Sequence, residues 1–143
     1  MNTNVNSSVG IYPVGAHKVS EQARIGSLPR HFGRYKITVE QRIFDQMREL
    51  SPDYTGGLWD FYELSNGGFY MAPVYETLRI RVLGNDYEGR MTGNAAGITG
   101  CLFAYSLLSF EHQNVGVFGR HFHWLRELAL DHAEASEIFA AID

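Results

Sequence analysis

The feature that most constrains this chain is a run of sixteen residues, Ala95–Phe110, that contains no charged side chain. Apart from Thr99, Ser106 and Ser109, the run is apolar on nearly every side of a helix. It is shorter than the ~20 residues that a helix needs to span a bilayer, and it has no basic flank. We therefore predict a buried central helix that begins at the cap residue Asn94 and ends near Glu111.

The same helix carries a stripe of small side chains, Gly97, Gly100 and Ala104. Glycine inside a helix costs about 1 kcal/mol relative to alanine, so its presence calls for a packing reason. We predict that a sheet or a neighbouring helix approaches this stripe closely.

Residues 59–91 have the pattern of antiparallel strands. Trp59–Leu64 and Phe69–Pro73 flank Asn66-Gly67, a dipeptide typical of tight hairpin turns. In Leu78–Val82 apolar residues alternate with arginines, and Tyr87–Met91 follows a turn. We predict one antiparallel β-meander packed against several helices, which makes the protein an α+β fold in a single compact domain.

Pairs at capping-box spacing predict where the other helices begin. Thr38 with Gln41 begins a helix that ends at Ser51-Pro52, and Asp131 with Glu134 begins the last helix. Between these two, residues 117–130 form a further helix with Phe118, Phe122, Leu125 and Ala129 facing inward.

The N-terminal residues 1–17 are too polar to fold on their own, so we predict a flexible arm there and one domain over residues 18–143. The single cysteine, Cys101, excludes an internal disulfide and a cysteine zinc cluster. The first residues lack the basic start and apolar run of a signal peptide. We therefore expect a cytoplasmic monomer that does not associate with membranes.

Charge is unevenly distributed along the chain, although the net charge is only −4. Between Lys18 and Arg48 there are seven basic residues against three acidic ones, whereas the rest of the chain has five basic residues against thirteen acidic ones. This asymmetry can mark a partner surface, or a basic segment that pairs with an acidic body. We favour internal pairing.

Few residues suggest catalysis or metal binding. His121 and His123 are two positions apart, so on a helix they point about 200° from each other and cannot share an ion; we expect exposed polar histidines. Cys101 lies among apolar residues, and a thiol in such surroundings is a poor nucleophile. We expect Cys101 in the core. Asp60 and Glu63 fall on opposite faces of one strand. We predict no catalytic residue, no metal and no cofactor.

A short stretch, residues 30–36, mixes basic and aromatic side chains as single-strand nucleic-acid surfaces do. The overall pI of about 5.8 argues against such a role. We favour a structural segment that packs Phe32 and Tyr35 against the body, and we do not expect direct binding of nucleic acid.

The most distinctive segment is Asp53–Pro73, which contains two Gly-Gly pairs and six aromatic residues. Further blocks are Leu-Pro-Arg-His-Phe-Gly at 28–33, Gly-Asn-Asp-Tyr-Glu-Gly at 84–89, Asn-Ala-Ala-Gly-Ile at 94–98 and the C-terminal Ile-Phe-Ala-Ala-Ile-Asp. From about residue 28 onward, these blocks closely resemble the KlcA/ArdB-type antirestriction family. The resemblance implies a compact α+β protein of plasmids or other mobile DNA that relieves type I restriction–modification, with no cofactor and no known catalytic residue.

Charge also bears on how such a protein could act. Some antirestriction proteins imitate DNA, and a duplex of about 20 base pairs offers on the order of 40 phosphates. This chain has 16 acidic residues offset by 12 basic ones, which excludes mimicry of that kind. The remaining partners are the type I restriction–modification complex itself or an associated host factor.

Five residues are candidate contacts with that partner. Trp59, Tyr62 and Tyr70 carry more aromatic surface than one strand pair needs, and aromatic side chains often anchor interfaces. Asp60 lies beside them, and Asp143 brings two negative charges to the negative end of the last helix. The alternative for the aromatic residues is simple packing, and for Asp143 it is solvation or a nearby arginine such as Arg120 or Arg126.

Two other functions compete with this interpretation. The first is a nucleic-acid-binding module that uses the basic segment 18–48, which would bind DNA in a salt-sensitive way. The second is a small-molecule enzyme built on Tyr54, Asp60, Tyr62 and Tyr70, which would require a deep pocket that joins these side chains.

Overall fold

The computed structural model describes residues 13–143, and the long apolar run lies at its centre as a helix. This helix, α3, spans Gly93–Glu111, and twelve of its nineteen residues are buried. The prediction of a buried central helix is confirmed. Within residues 13–143, no helix is long and apolar enough to cross a membrane.

Five strands and four further helices surround α3, which confirms the α+β class. The strands are β1 (Ala16–Lys18), β2 (Trp59–Leu64), β3 (Phe69–Pro73), β4 (Leu78–Val82) and β5 (Tyr87–Met91). The other helices are α1 (Ser27–Phe32), α2 (Lys36–Leu50), α4 (Val117–Leu130) and α5 (Ala135–Ile142). Short 3-10 turns at Arg24–Gly26 and Gly33–Tyr35 flank α1.

All strand pairs are antiparallel, but the strands form two sheets rather than the one continuous meander that we predicted. The first sheet has the order β1-β2-β3, and the second contains β4 and β5. The hairpin at Asn66-Gly67 is as predicted, with Gly67 at a φ of 104°. Ala16 and His17, which the sequence placed in the flexible arm, belong to β1 and pair with Leu64 and Glu63. Residues 1–12 of that arm lie outside the described residues.

The two sheets are separate because α3 occupies the edge of β3 that β4 would otherwise use. The carbonyl of Gly68 accepts from β2, and the N–H of Val74 donates to the residue before β2. Because such bonds alternate along an antiparallel pair, the carbonyl groups of the residues in between, Phe69 and Met71, point away from β2. On that side the Tyr105 hydroxyl donates to the carbonyl of Phe69 at 2.6 Å, and the Cys101 thiol donates to that of Met71 at 3.5 Å. The helix therefore covers the edge of the sheet that β3 would otherwise leave exposed.

Small residues allow this approach, as the glycine stripe predicted. A Cβ atom built on Gly97 would lie 2.5 Å from the Cα of Ala72 and 2.6 Å from the carbonyl oxygen of Met71. One turn earlier, a Cβ on Gly93 would lie 2.7 Å from the carbonyl oxygen of Tyr75. Gly100 faces α2 instead, where the nearest atom to its Cβ would be the flexible end of Met47 at 3.2 Å. The closest approaches of α3 to the neighbouring backbone are therefore at Gly93 and Gly97.

The predicted capping boxes do not form. Helix α2 begins at Lys36, two residues before Thr38, without a side-chain cap. Helix α3 is capped by Thr92, whose hydroxyl accepts from the N–H of Ala95, and not by Asn94. Helix α5 begins at Ala135, and the carboxylate of Glu134 instead accepts from the Thr92 hydroxyl at 2.5 Å. The side chains of Asn94 and Glu134, which local capping would have used, instead bind groups that are distant in sequence.

The prediction that His121 is exposed is wrong, because it lies on the buried stripe of α4 with Phe118 and Leu125. Its ring centroid is 4.5 Å from that of Phe32 and 5.1 Å from that of Trp124. Within residues 13–143 its Nδ1 atom has no hydrogen-bond partner. Burial, together with the charges of His31 and Arg120, lowers the pKa of His121 from 6.5 to about 3.

Replacing Gly97 by alanine tests the close contact between α3 and β3. Helix propensity alone would make the variant more stable by about 1 kcal/mol. The steric conflict with Ala72 and Met71 should instead destabilise it by roughly 1–3 kcal/mol, measured by chemical denaturation. Gly119→Ala on α4 is the matched control, because its Cβ would meet nothing within 4 Å. A stabilised Gly97→Ala protein would contradict the contact.

Acid should destabilise the protein through His121. Below its ordinary pKa of 6.5 the unfolded chain binds a proton that the folded protein does not bind until about pH 3, so stability falls as pH is lowered through this window. Between about pH 7 and pH 5 the loss from this histidine should be on the order of 2 kcal/mol. His121→Phe should remove that part of the pH dependence, measured by denaturation at both pH values. An equal slope in both proteins would contradict a neutral buried His121.

Candidate partner-binding surface

Two adjoining clefts meet at Arg24, which lines both. The Ile cleft has a volume of about 490 Å³ and is lined by Arg24, Ile25, Leu28, Pro29, Lys36, Ile37, Glu40 and Phe61. The Trp cleft has a volume of about 480 Å³ and is lined by Lys18, Val19, Ser20, Glu21, Arg24, Leu58, Trp59, Asp60 and Val74. Both volumes fall within the range of about 300–1,000 Å³ that is typical of binding sites.

The short helix α1 sets the geometry of the Ile cleft. Leu28 and Phe32 are buried and anchor α1 to the body. Pro29 lies in the first turn of α1, where its missing N–H has no helical partner, so the helix accommodates it. The 3-10 turn before α1 then leaves Ile25 pointing outward, with 87% of its surface exposed.

Exposed aliphatic side chains are concentrated at the two clefts. Ile37 is 70% exposed, Leu58 76% and Val74 55%. With Ile25, these make four of the eight large hydrophobic residues that are exposed in residues 13–143. Clustered apolar exposure of this kind marks interaction sites more often than single exposed residues do.

The Trp cleft is held in place by an aromatic cluster. Trp59 is only 5% exposed and donates its indole N–H to the hydroxyl of Tyr54 at 3.0 Å. Phe44 of α2 packs edge-on against the Trp59 ring, with 5.2 Å between centroids. Gly56 and Gly57, at φ angles of 97° and 115°, let the chain turn sharply so that Leu58 is exposed beside the buried Trp59.

Charges at the clefts differ in how they are paired. Lys18 lies 3.5 Å from the carboxylate of Asp60 in the Trp cleft. The guanidinium of Arg24 lies 4.7 Å from the centroid of the Phe61 ring, a cation–π contact. Neither Arg24 nor Lys36 has a carboxylate within 4.0 Å in residues 13–143, and residues 1–12 contain no acidic residue.

Of the five predicted contact residues, Trp59 and Tyr70 are corrected to core residues. The Tyr70 side chain is 2% exposed, stacks on Tyr62 with 4.6 Å between centroids, and donates to Asn94 at 3.1 Å. His132 also bonds Asn94, at 2.9 Å. Burial raises the pKa of Tyr70 well above its usual range. Packing accounts for both aromatic residues; Tyr70 is covered, and only the small exposed part of Trp59 lines the Trp cleft.

The other three candidates do not form one site. Asp60 lines the Trp cleft, whereas Tyr62 is half-buried in its stack with Tyr70. Asp143 lies at a different place, beside a small cavity of about 140 Å³ that Arg126 also lines. Arg126, one of the two arginines considered as its neighbour, thus lines the same cavity, but in residues 13–143 it makes no ion pair with Asp143.

The described residues contain no group of three or more histidine, cysteine and carboxylate side chains placed to hold a metal. Cys101 is fully buried as predicted, and burial raises the pKa of its thiol to about 12, so it is protonated and unreactive. His31 is engaged by Glu63 at 2.7 Å.

Internal pairing of the basic segment is found for part of its residues. Arg30 bonds Glu63 at 2.8 Å and Arg42 bonds Glu111 at 2.8 Å. With the Lys18–Asp60 pair, three of the seven basic residues of segment 18–48 are matched to acidic residues elsewhere in the chain. Phe32 is buried and Tyr35 packs partly against the core, as expected for a structural segment. A nucleic-acid-binding module on this segment is not favoured.

The fold is that of a compact α+β protein, and comparison with known proteins identifies its family. A family model described as antirestriction protein matches residues 52–143. Two relatives from Escherichia coli, each named antirestriction protein KlcA, are 41% and 39% identical to this chain; each match covers 92% of this chain, and 94% and 96% of the relatives. The chain belongs to the antirestriction protein family.

A solved structure extends the similarity to the whole fold. It is described as showing that the KlcA and ArdB proteins have a novel fold and antirestriction activity against type I DNA restriction systems in vivo but not in vitro. It superposes with a TM-score of 0.81 at 38% identity, and the match covers 100% of both chains. The resemblance inferred from the sequence motifs is thereby confirmed.

Sequence reasoning missed the residues that make the clefts distinctive. The buried stripe of α2 contains Val39, Ile43, Met47 and Leu50. Ile37 is two positions from Val39, about 200° around the helix, so its position off the stripe was a usable signal of exposure. Ile25 had no such signal, because its exposure depends on the 3-10 turn that precedes α1.

Removing the Tyr70 hydroxyl should affect stability. Tyr70→Phe keeps the stack with Tyr62 but loses the hydrogen bond to Asn94, which should lower the free energy of unfolding by about 1 kcal/mol. Tyr62→Phe is the matched control, because its hydroxyl makes no hydrogen bond within the described residues and a change below about 0.5 kcal/mol is expected. Urea denaturation measures both. Equal stability of the two variants would argue against a structural role of the Tyr70 hydroxyl.

Proposed function

We propose that this protein relieves the restriction of incoming mobile DNA by type I restriction–modification systems. The observation that carries the proposal is the match over the full length of both chains to a KlcA/ArdB structure whose proteins are described as active against type I systems. Identities of about 40% to the KlcA relatives over most of the chain support the same activity. The protein acts by binding and not by catalysis.

The proposed route is contact with a protein rather than imitation of DNA. The 16 acidic residues are offset by 12 basic ones, and several carboxylates are already neutralised by arginine or lysine within the fold. Exposed aliphatic side chains at the two clefts are poor mimics of a phosphate backbone, but they suit a protein interface.

The partner is the type I restriction–modification complex or a host factor associated with it. The KlcA and ArdB proteins are described as active in vivo but not in vitro. An inhibitor that needs a cellular component would behave in this way, which favours the host factor. We place the action in the cytoplasm, where DNA is restricted, and we propose that the protein acts as a monomer.

Phage plating tests the proposal. Unmodified phage should plate more efficiently on a type I restricting host when the protein is present, whereas phage that already carries the host modification should plate equally with and without it. Relief should disappear in a host that lacks the restriction system. An unchanged efficiency for unmodified phage, with folded protein present in the cells, would contradict the proposed function.

The same assay tests the exposed candidate contacts. Asp60→Ala, Tyr62→Ala, Asp143→Asn and Asp143→Ala should be compared with the unchanged protein for both relief and melting temperature. Removing the Asp143 charge should stabilise α5 by about 0.3–1 kcal/mol, because a carboxylate at the C-terminal end opposes the helix dipole. Lost relief at unchanged stability would identify a contact, and full relief in both Asp143 variants would exclude its side chain.

A further inference from the structure

We infer that the Ile cleft binds one amphipathic helix of a partner protein, a helix with an aliphatic face and an acidic flank. The inference rests on the proposed function for the identity of the partner, but not for the chemistry of the cleft. It depends on three observations, which are the exposed isoleucines, the apolar lining of the cleft and its two cations that lack a carboxylate partner in residues 13–143.

The isoleucines have no structural reason to be exposed. Ile25 and Ile37 both line the cleft and are 87% and 70% exposed, while Leu28 and Phe61 in the same lining are buried. Ile37 lies away from the buried stripe of α2, so it contributes nothing to the packing of that helix against the core. Covering both side chains would be favourable for any partner that supplies an apolar surface.

The lining of the cleft suits a helix. It is shared by the 3-10 turn, α1, the start of α2 and Phe61 of β2, and five of its eight residues are apolar. A groove lined by apolar side chains accepts the apolar face of an amphipathic helix, whose anchors recur every three or four residues. The volume of about 490 Å³ has room for several such aliphatic anchors.

The positive charges of the cleft favour acidic residues beside the apolar face of the partner helix. Among residues 13–143, neither Arg24 nor Lys36 has a carboxylate partner, and Arg24 is already positioned over Phe61, so a carboxylate can bind it without reorganisation. Outside residues 18–48 the chain has thirteen acidic against five basic residues, which repel an acidic partner from other surfaces. Glu40 also lines the cleft, so an apolar helix with a few carboxylates fits better than a polyanion.

Peptide binding tests the cleft directly on the full-length protein. The probe is a synthetic amphipathic helix of about four turns with leucines on one face and glutamates beside them. NMR amide shifts should change at residues 24–40 and 61, and the same peptide with lysines in place of glutamates should bind roughly tenfold more weakly or worse. No shift in the cleft, or equal binding of the two peptides, would overturn the inference.

Matched variants separate the cleft from general surface effects. Ile37→Ser and the double variant Arg24→Glu/Lys36→Glu should each weaken binding of the glutamate peptide by roughly tenfold or more. Leu83→Ser is the control, because Leu83 is 80% exposed in the β4–β5 turn and lies outside both clefts. Melting temperatures confirm folding. Equal binding by Ile37→Ser and Leu83→Ser would overturn the inference.

The phage assay tests the cleft independently of the peptide. Ile37→Ser should reduce relief of restriction, whereas Leu83→Ser should not. If the unchanged protein relieves restriction and Ile37→Ser does so equally, the proposed function stands and the cleft is not its contact. If the unchanged protein gives no relief, the proposed function fails, and the peptide measurements still decide the chemistry of the cleft.

Other occupants are outcomes of the same design. Binding to phosphatidylglycerol vesicles or to single-stranded DNA that is lost in Ile37→Ser would replace the helix by a membrane or a nucleic acid. A dimer in sedimentation that dissociates in Ile37→Ser would replace it by a second copy of the chain. Each of these results would overturn the inference.

Discussion

The contact between the backbone of α3 and the open edge of β3 determines the rest of the structure. Gly97 allows the helix to touch Ala72 and Met71, and the hydroxyl of Tyr105 bonds a carbonyl that a neighbouring strand would otherwise take. A bulky side chain at Gly97 would separate the two elements and leave buried carbonyl groups without donors, which is costly. The sheet therefore ends at β3, and β4 and β5 must pair on their own.

Helix α3 also connects parts of the chain that are distant in sequence. Its cap Thr92 bonds Glu134 before α5, and Asn94 in its first turn accepts from Tyr70 of β3 and contacts His132. On another side, Gly100 lies against Met47 of α2. Sheet, terminal helices and α2 thus share one buried element, and polar groups that local capping would have used serve tertiary contacts instead.

Much of this arrangement could be predicted from the sequence, because local patterns determine it. The uncharged run at 95–110, the turn at Asn66-Gly67 and the alternation in Leu78–Val82 each predict one element correctly. The division into two sheets could not be predicted, since it depends on which element reaches the edge of β3. For the site, the blocks around Asp53–Pro73 indicated the family, but Trp59 and Tyr70 proved to be buried, and the exposed Ile25 and Ile37 went unnoticed. Exposure is a tertiary property.

The core also explains why the clefts are suited to binding. Phe61 belongs to β2, which pairs with β3, and Ile37 belongs to α2, which packs on α3. The floor and one wall of the Ile cleft are therefore held by elements that the central helix positions. A partner that binds there need not order them, so less conformational entropy is lost on binding. The close contact at Gly97 thus contributes to the binding surface, although no residue of α3 lines the clefts.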